Sequence, residues 1–363
     1  MGAARIAKMD EFYTQLTDVE KELRHYKPHF RGKVVYCNAD DPRVSAFFKY
    51  FALNFEALGL KKLITTCYRS QAPDLFSKNN SDHAVFLEYE GDKNSNRVPD
   101  PDEIEVLPLT GDGDFRSEEC INLLNQADII VTNPPFSLFH QYVSQLIKHD
   151  KKFAIIGNPN ATSYKQIFPL IKDGKLWWGV KPSGGENQFF ETTDAFAQRV
   201  AATKPQGAWW RRGSNGKILV GMKTVWYTNL DFPKRHVDLI LYRKYNPTDY
   251  PSYDNFNAIE VGKVSEIPAN YDGDMGVPLT FLDNWNPDQF EIVGITQSWD
   301  KCATKIYPGQ IQVSADGSES QVTKLNDGAA IKVAAPPANK TYYKVEGEMF
   351  VKAYARILIR RRK

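Results

Sequence analysis

Short apolar runs alternate with longer amphipathic stretches through the first half of the chain. "KVVYC" (Lys33–Cys37), "KKLITTCY" (Lys61–Tyr68), "IEVLPL" (Ile104–Leu109), "DIIVT" (Asp128–Thr132) and "KFAIIG" (Lys152–Gly157) predict five core strands, and "HAVFLEYEG" (His83–Gly91) predicts one more. Ahead of the first strand, "TDVEKELRHY" carries a Thr17/Glu20 capping-box pattern and sets Leu16, Val19, Leu23 and Tyr26 at helical spacing. After that strand, "NADDP" leads into a helix that Asp41 caps with Pro42 in its first turn. Its apolar face holds Val44, Phe47, Phe48, Phe51, Phe55 and Leu58, and it stops at Gly59. "SEECINLLNQA" (Ser117–Ala127) and "SLFHQYVSQLIKH" (Ser137–His149) predict two further helices. Such alternation requires crossover connections, so it predicts an α/β fold with a mostly parallel sheet.

Beyond Gly157 the alternation loosens. "KLWWGV", "KILVGMKTVWYT" and "VDLILYRKY" predict antiparallel strands that close the sheet, interrupted by an insertion at about 181–216. After about Asn246 the chain turns to short strands and turns rich in Tyr, Asn, Pro and Gly. The expected organisation is a first domain over 1–245 and a second region over 246–363.

A chain of 363 residues with 42% hydrophobic positions can bury a large core. No apolar run approaches a membrane span, and Met1–Asp10 lacks the layout of a secretory signal, so a cytoplasmic location is expected. Cys37, Cys67, Cys120 and Cys302 are scattered with no CxxC pair, which argues against a zinc site or disulfide framework and for buried thiols. A net charge of +2 decides nothing about nucleic acid. Two basic clusters, "WWRRGSNGK" (Trp209–Lys217) and "RILIRRRK" (Arg356–Lys363), are either phosphate-contacting patches or solvated loop and tail.

In an open parallel sheet, ligands collect beyond the carboxyl ends of the strands. The exits to inspect are "CNADDP", "TTCYR", "TGDGDF" and "TNPPF". In the last, two prolines fix the backbone and remove two amide donors, so neighbouring carbonyls point outward without internal competitors. Asn133 adds a side-chain oxygen and Phe136 a flat apolar face. Such a group suits the alkylation of an aromatic amine, held between two acceptors with a ring over its heterocycle. The alternative is a rigid turn in which Asn133 caps the next helix. A bare NPP favours that alternative; NPPF directly after "DIIV" does not.

"DIIVTNPPF" resembles the catalytic motif of the S-adenosylmethionine-dependent amino-methyltransferases. "DEFYTQ", "VVYCNADDP", "GDGDF", "YDNFNAIEV", "MGVPLTFLDNWNPDQFEIVG" and "YARILIRRRK" extend the likeness over most of the chain to the EcoRI-type adenine-specific modification methyltransferases. The resemblance implies a Rossmann-like catalytic domain, S-adenosylmethionine as methyl donor, and double-stranded DNA as partner with an adenine turned out of the helix. It implies that the Asn133 oxygen and the Pro134 carbonyl accept from the adenine amine, with Pro135 fixing the turn and Phe136 stacking on the base. Cofactor contacts are implied for Phe12, Tyr13, Thr14, Cys37, Asn38, Asp40, Asp114 and Phe115, with Asn133 at the junction of cofactor and base. Asn38 and Asp40 would take the cofactor's ammonium; Asp41 either joins them or only caps its helix. The strand-one turn lacks the family's usual glycines, and "ITTCYRS" lacks the usual ribose-binding acid, for which Thr66 or Tyr68 substitutes unless the register slips. Trp209, Trp210, Arg211 and Arg212 are the implied DNA contacts, the region after Asn246 is the implied target reader, and no metal is implied.

The resemblance also implies a bacterial or phage source and leaves room for a cognate restriction endonuclease acting separately. Competing readings are methylation of an RNA base or a protein glutamine by the same NPP chemistry, and a catalytically silent nucleic-acid-binding relative.

Overall fold

The computed structural model describes residues 12–38, 45–67, 84–94, 104–181 and 187–362. They divide into two compact units: residues up to 161 together with 176–232, and residues 162–175 together with 233 onward. The break at Phe232 therefore precedes the change of sequence texture near Asn246.

In the first unit the apolar runs become strands β1 (Val34–Cys37), β2 (Lys62–Thr66), β3 (Val85–Tyr89), β4 (Ile104–Pro108), β5 (Ile129–Thr132) and β6 (Lys152–Gly157). β1 and β5 are buried along their whole length, as a strand covered on both faces must be. Later come β7 (Trp177–Trp178), β8 (Gln188–Phe190), β9 (Trp210–Arg212), β10 (Ile218–Met222) and β11 (Val225–Thr228). Eight of these form one sheet in the order β4-β3-β2-β1-β5-β6-β11-β7. β2, β1, β5 and β6 pair in parallel. β3 runs against both β2 and β4, and β11 against both β6 and β7. Six of the eight strands thus point one way, with β3 and β11 inserted against them. Such a large, mostly parallel sheet fits a methyltransferase fold.

Helices cross between the strands. Ser45 caps Ala46–Leu53 by accepting from the Phe48 amide at 3.3 Å, while Asp41 and Pro42 lie outside the described residues. The expected single helix is interrupted at Asn54, whose side chain donates to the Tyr50 carbonyl at 2.8 Å, and resumes over Phe55–Leu58. It ends at Gly59, where a left-handed backbone with φ of 63° needs glycine. The Thr17/Glu20 capping box does not form: the helix starts at Leu16 after Gln15, which makes no side-chain cap, so Thr17 already lies inside it.

That first helix instead contributes a buried carboxylate. Glu22 accepts from the Tyr26 hydroxyl at 2.7 Å and from the amides of Val180 and Lys181 at 2.7 and 2.9 Å. A carboxylate has acceptor sites for all three. Burial pushes its carboxyl above the ordinary range, against these hydrogen bonds, which pull it down. A Cβ at Gly179 would lie 2.1 Å from Glu22 Oε1, so only glycine leaves room for the carboxylate to reach past it.

"KILVGMKTVWYT" is two strands: β10 lies with β8 and β9 in a small separate sheet, and β11 joins the main one. Trp177 and Trp178 are buried at the main sheet's edge. "VDLILYRKY" is no strand. The Gln289 side chain both accepts from the Leu239 amide and donates to its carbonyl, each at 2.8 Å, and so takes the groups a sheet would use. Ile240 and Tyr242 stay 89% and 65% exposed.

The second unit is built from short strands: β12 (Ile259–Glu260), β13 (Met275–Pro278), β14 (Phe290–Ile295), β15 (Gln310–Val313), β16 (Glu319–Val322), β17 (Ala330–Val333), β18 (Tyr342–Val345), β19 (Glu348–Lys352) and β20 (Arg356–Arg361). They make a four-stranded sheet, β12-β13-β20-β14, and a five-stranded one, β16-β15-β18-β19-β17. The basic end of the chain is therefore not a free tail. β20 lies inside its sheet; Arg356 pairs with Glu260 at 2.7 Å, Arg360 with Asp274 at 2.6 Å, and Arg361 and Arg362 donate to the carbonyls of Ala269 and Pro287. Cys37, Cys67 and Cys120 are buried, Cys302 is half-buried, and none of the four is in a disulfide. Among the described residues no helix is long and apolar enough to cross a membrane.

Candidate active site

From β1 the chain moves outward through β2, β3 and β4 on one side, then returns to place β5 and β6 on the other. Strand order reverses at β1 and β5, and a crevice opens at such a reversal. β1 delivers Asn38 there and β5 delivers Asn133, 5% and 7% exposed.

Asn133 caps no helix. Pro135 precedes a short 3-10 turn, Phe136–Leu138, and the helix Phe139–Lys148 follows; neither start has a side-chain cap. The Asn133 amide is instead oriented from across the sheet. Its Nδ2 donates to the Phe12 carbonyl at 2.7 Å and more weakly to Thr14 Oγ1 at 3.4 Å. Both amide hydrogens are thereby used, and Oδ1 is buried with no hydrogen-bond partner among the described residues. Pro134 is buried beside it, and the Pro135 carbonyl accepts from the Leu138 amide at 3.0 Å.

Phe12 also touches the other half of the motif. Its ring stacks on Phe136, with centroids 5.8 Å apart and planes 22° from parallel, and it meets Phe190 and Phe196 edge-on. Phe136 remains half-exposed. The adjacent Tyr13 exchanges two backbone hydrogen bonds with Glu191, at 2.8 and 3.3 Å, which fastens residues 12–14 to the end of β8.

On the opposite flank, the exit of β1 is tied to the exit of β5. Thr132 Oγ1 donates to the Asn38 carbonyl, and the Tyr142 hydroxyl donates to Asn38 Oδ1. Tyr142 meets the buried Phe115 edge-on at 5.0 Å, and Gln145 donates to the Phe115 carbonyl at 2.8 Å. Asp114 is held by Arg116 through Nε and Nη2 at 2.8 and 2.6 Å, and this guanidinium holds its carboxyl below the ordinary range. Asp112 serves the turn, accepting from the Asp114 amide at 3.0 Å.

The implied site residues thus fall into two groups. Phe12, Tyr13, Thr14 and Asn133 to Phe136 come together in one group, and Asn38 and Phe115 are linked through Tyr142 in the other, with Asp114 next to Phe115 and held by Arg116. Cys37 is buried at the end of β1. Thr66 is buried at the end of β2 with its hydroxyl 2.8 Å from the Tyr36 hydroxyl. Asp40, Asp41 and Tyr68 lie outside the described residues. Trp209, Arg211 and Arg212 are exposed and Trp210 is half-exposed, along β9 at the edge of the small sheet. Arg211 covers the Phe189 ring at 4.1 Å, Lys204 covers Trp209 at 4.9 Å, and Arg212 donates to the Gly216 carbonyl at 3.1 Å. Sequence reasoning missed Tyr142, Phe190, Phe196 and Glu191. The paired phenylalanines of "NQFFE", inside a polar insertion, were the available signal for Phe190 and Glu191.

A family model described as adenine-specific methyltransferase EcoRI matches residues 1–362. The chain is 48% identical over 301 residues to the Type II methyltransferase M.EcoRI of Escherichia coli, a match spanning 82% of this chain and 89% of that protein. It is 38% identical over 296 residues to the Type II methyltransferase M.MpnI of Mycoplasma pneumoniae, covering 80% and 83% of the two chains. With the Type II methyltransferase M.MgeORF184P of Mycoplasma genitalium the identity is 36% over 292 residues, covering 80% and 84%. No solved structure matches the chain.

Proposed function

The chain belongs to the EcoRI family of adenine-specific methyltransferases, and from that premise we propose that it methylates N6 of an adenine in DNA, at a defined sequence, using S-adenosylmethionine. The observation that carries the site assignment is the orphaned Asn133 Oδ1. A buried acceptor without a donor costs about 1–3 kcal/mol, and an exocyclic amine arriving from outside recovers it. With its nitrogen held by Phe12, Asn133 can only accept on that side, which suits an amine and not a carbonyl.

In this reading the adenine is extruded from the duplex, since its amine is unreachable within the stack. Asn133 Oδ1 and the Pro134 carbonyl accept from the amine and draw its lone pair out of ring conjugation. Phe136 offers its free face to the base, with Phe12 bracing the other. S-adenosylmethionine, when bound, supplies an electrophilic methyl group. The chain's own residues therefore position the amine and stabilise developing charge, and no nucleophile is required.

The residues on the other flank fit this cofactor. Asp114 retains acceptor capacity beyond its bonds to Arg116, Phe115 supplies a ring for an adenine, and Asn38 supplies an amide for the amino-acid end. Thr66, at the end of β2, keeps hydroxyl capacity beyond its contact with Tyr36 and stands as the candidate for the ribose position. Target recognition is assigned to the unit from residue 233 onward and to β9, by chain position and by the exposed cations of β9. Arg211→Ala and Arg212→Ala are each expected to weaken DNA binding and to lower the slope of log K against log salt by about 1, measured by fluorescence anisotropy. An unchanged slope would remove β9 from the DNA interface.

Nucleoside mass spectrometry with modification mapping tests the whole reading. DNA from cells expressing the protein should contain N6-methyladenine at one sequence, above cells expressing Asn133→Ala. No excess over that control would refute the assignment.

A further inference from the structure

In the proposed cofactor site Asn38 stands at the exit of β1, and its side-chain oxygen is turned toward Tyr142. The Tyr142 hydroxyl donates to Oδ1, while Thr132 fixes the backbone carbonyl of the same residue. Burial lifts the Tyr142 phenol far above its ordinary value, so the hydroxyl stays protonated and remains a donor. With its oxygen turned toward the phenol, the amide presents its two N–H donors on the side away from Tyr142. Among the described residues nothing else bonds the Asn38 side chain.

We propose that Tyr142 is a positioning residue that locks the Asn38 amide with its nitrogen toward the methyl donor, so that this position reads the donor's carboxylate and not its ammonium. The inference rests on the reading of the chain as S-adenosylmethionine-dependent, and it reverses the polarity expected of Asn38 from sequence. An ammonium brings only donors and would face donors here; a carboxylate brings the acceptors that the Asn38 Nδ2 hydrogens lack. The same helix, Phe139–Lys148, also supports Phe115 through the Tyr142 ring and the Gln145 amide. One helix beginning just after NPPF therefore sets both the polar and the flat parts of the cofactor site.

The test separates the two ends of the ligand. Tyr142→Phe keeps the ring against Phe115 and removes only the hydroxyl. Calorimetry measures the affinity of full-length protein for S-adenosylhomocysteine and for its decarboxylated analogue. Unaltered protein should prefer the carboxylate-bearing ligand by roughly tenfold or more, as expected for a hydrogen bond to a charged group. Tyr142→Phe should cut that preference to about threefold or less, and in turnover the loss should fall on KM for the donor more than on kcat. Asn38→Ala should abolish the preference, with no further change when Tyr142→Phe is added. Asn38→Asp, which favours an ammonium, should weaken the carboxylate-bearing ligand selectively. An unchanged preference in Tyr142→Phe, or an Asn38→Asp protein that binds S-adenosylhomocysteine as tightly as the unaltered one, overturns the proposal alone. Absence of binding by the unaltered protein overturns the S-adenosylmethionine reading and the proposal with it.

Discussion

Asn133→Ala is expected to lower DNA adenine methylation by about 10²–10³-fold while leaving affinity for S-adenosylhomocysteine within about threefold. The amide makes two contacts that orient it, to Phe12 and Thr14, and keeps one acceptor open. Alanine removes the acceptor aimed at the amine, the kind of preorganised polar group whose loss costs most in the transition state. Asn133→Asp is the sharper companion. Its second oxygen would face the Phe12 carbonyl at the site of the present 2.7 Å hydrogen bond, acceptor against acceptor, so the side chain must rotate or protonate. Aspartate should therefore rescue little of the activity, although it keeps an oxygen of the right size. Single-turnover kinetics with saturating donor, beside calorimetry, separates chemistry from binding. A parallel collapse of cofactor affinity would mean that Asn133 holds the cofactor and not the base.

Glu22→Ala carries the largest expected effect on stability. The carboxylate satisfies a phenol and two backbone amides from residues 158 and 159 positions away. Alanine strands the buried Tyr26 hydroxyl, at about 1–3 kcal/mol, and the two half-buried amides at less. The variant also escapes the desolvation that pushes the Glu22 carboxyl up, which offsets part of the loss. A net cost of about 2–4 kcal/mol follows, and calorimetry should record a Tm lower by roughly 5–12 °C for a unit of this size. The pH dependence has a definite sign. Because the folded-state value is raised above 4.5, Glu22 lends stability that is complete below the unfolded value and is lost as pH rises through the folded one. The difference in unfolding free energy between unaltered protein and Glu22→Gln should shift in that direction over that window. Gly179→Ala, which would place a methyl on the carboxylate, should show a similar fall in Tm. A Glu22→Ala protein with an unchanged Tm would show that water replaces the carboxylate freely.

What could be read from sequence was local. Buried strands declare themselves as apolar runs, and NPPF declares itself because two prolines after such a run leave few other interpretations. Asn38 was singled out because it stands at a strand exit, and Asp114 and Phe115 because "GDGDF" carries part of the resemblance. What was missed depends on partners far along the chain. The periodicity of "VFLEY" marks a strand but not its direction, so β3 was not foreseen running against its neighbours. "VDLILYRKY" has the composition of a strand, yet a glutamine 50 positions away takes both backbone groups of Leu239, and Asn270 takes the Tyr245 amide. The arginines of "RILIRRRK" look solvated until Glu260 and Asp274 are placed beside them. The orientation of Asn133 depends on Phe12, 121 positions earlier, and no spacing rule reaches that far.

The bridge between Tyr13 and Glu191 gives the enzyme an order of assembly. A nascent chain that has emerged as far as β6 already contains both asparagines and the four parallel strands that carry them. The strap that turns the Asn133 amide is not fastened until the ribosome has released Glu191, some 58 residues after the asparagine itself. The held amide is therefore completed only past the middle of synthesis, and a chain cut short before β8 has the four parallel strands β2, β1, β5 and β6 but neither β11 nor the fastened strap.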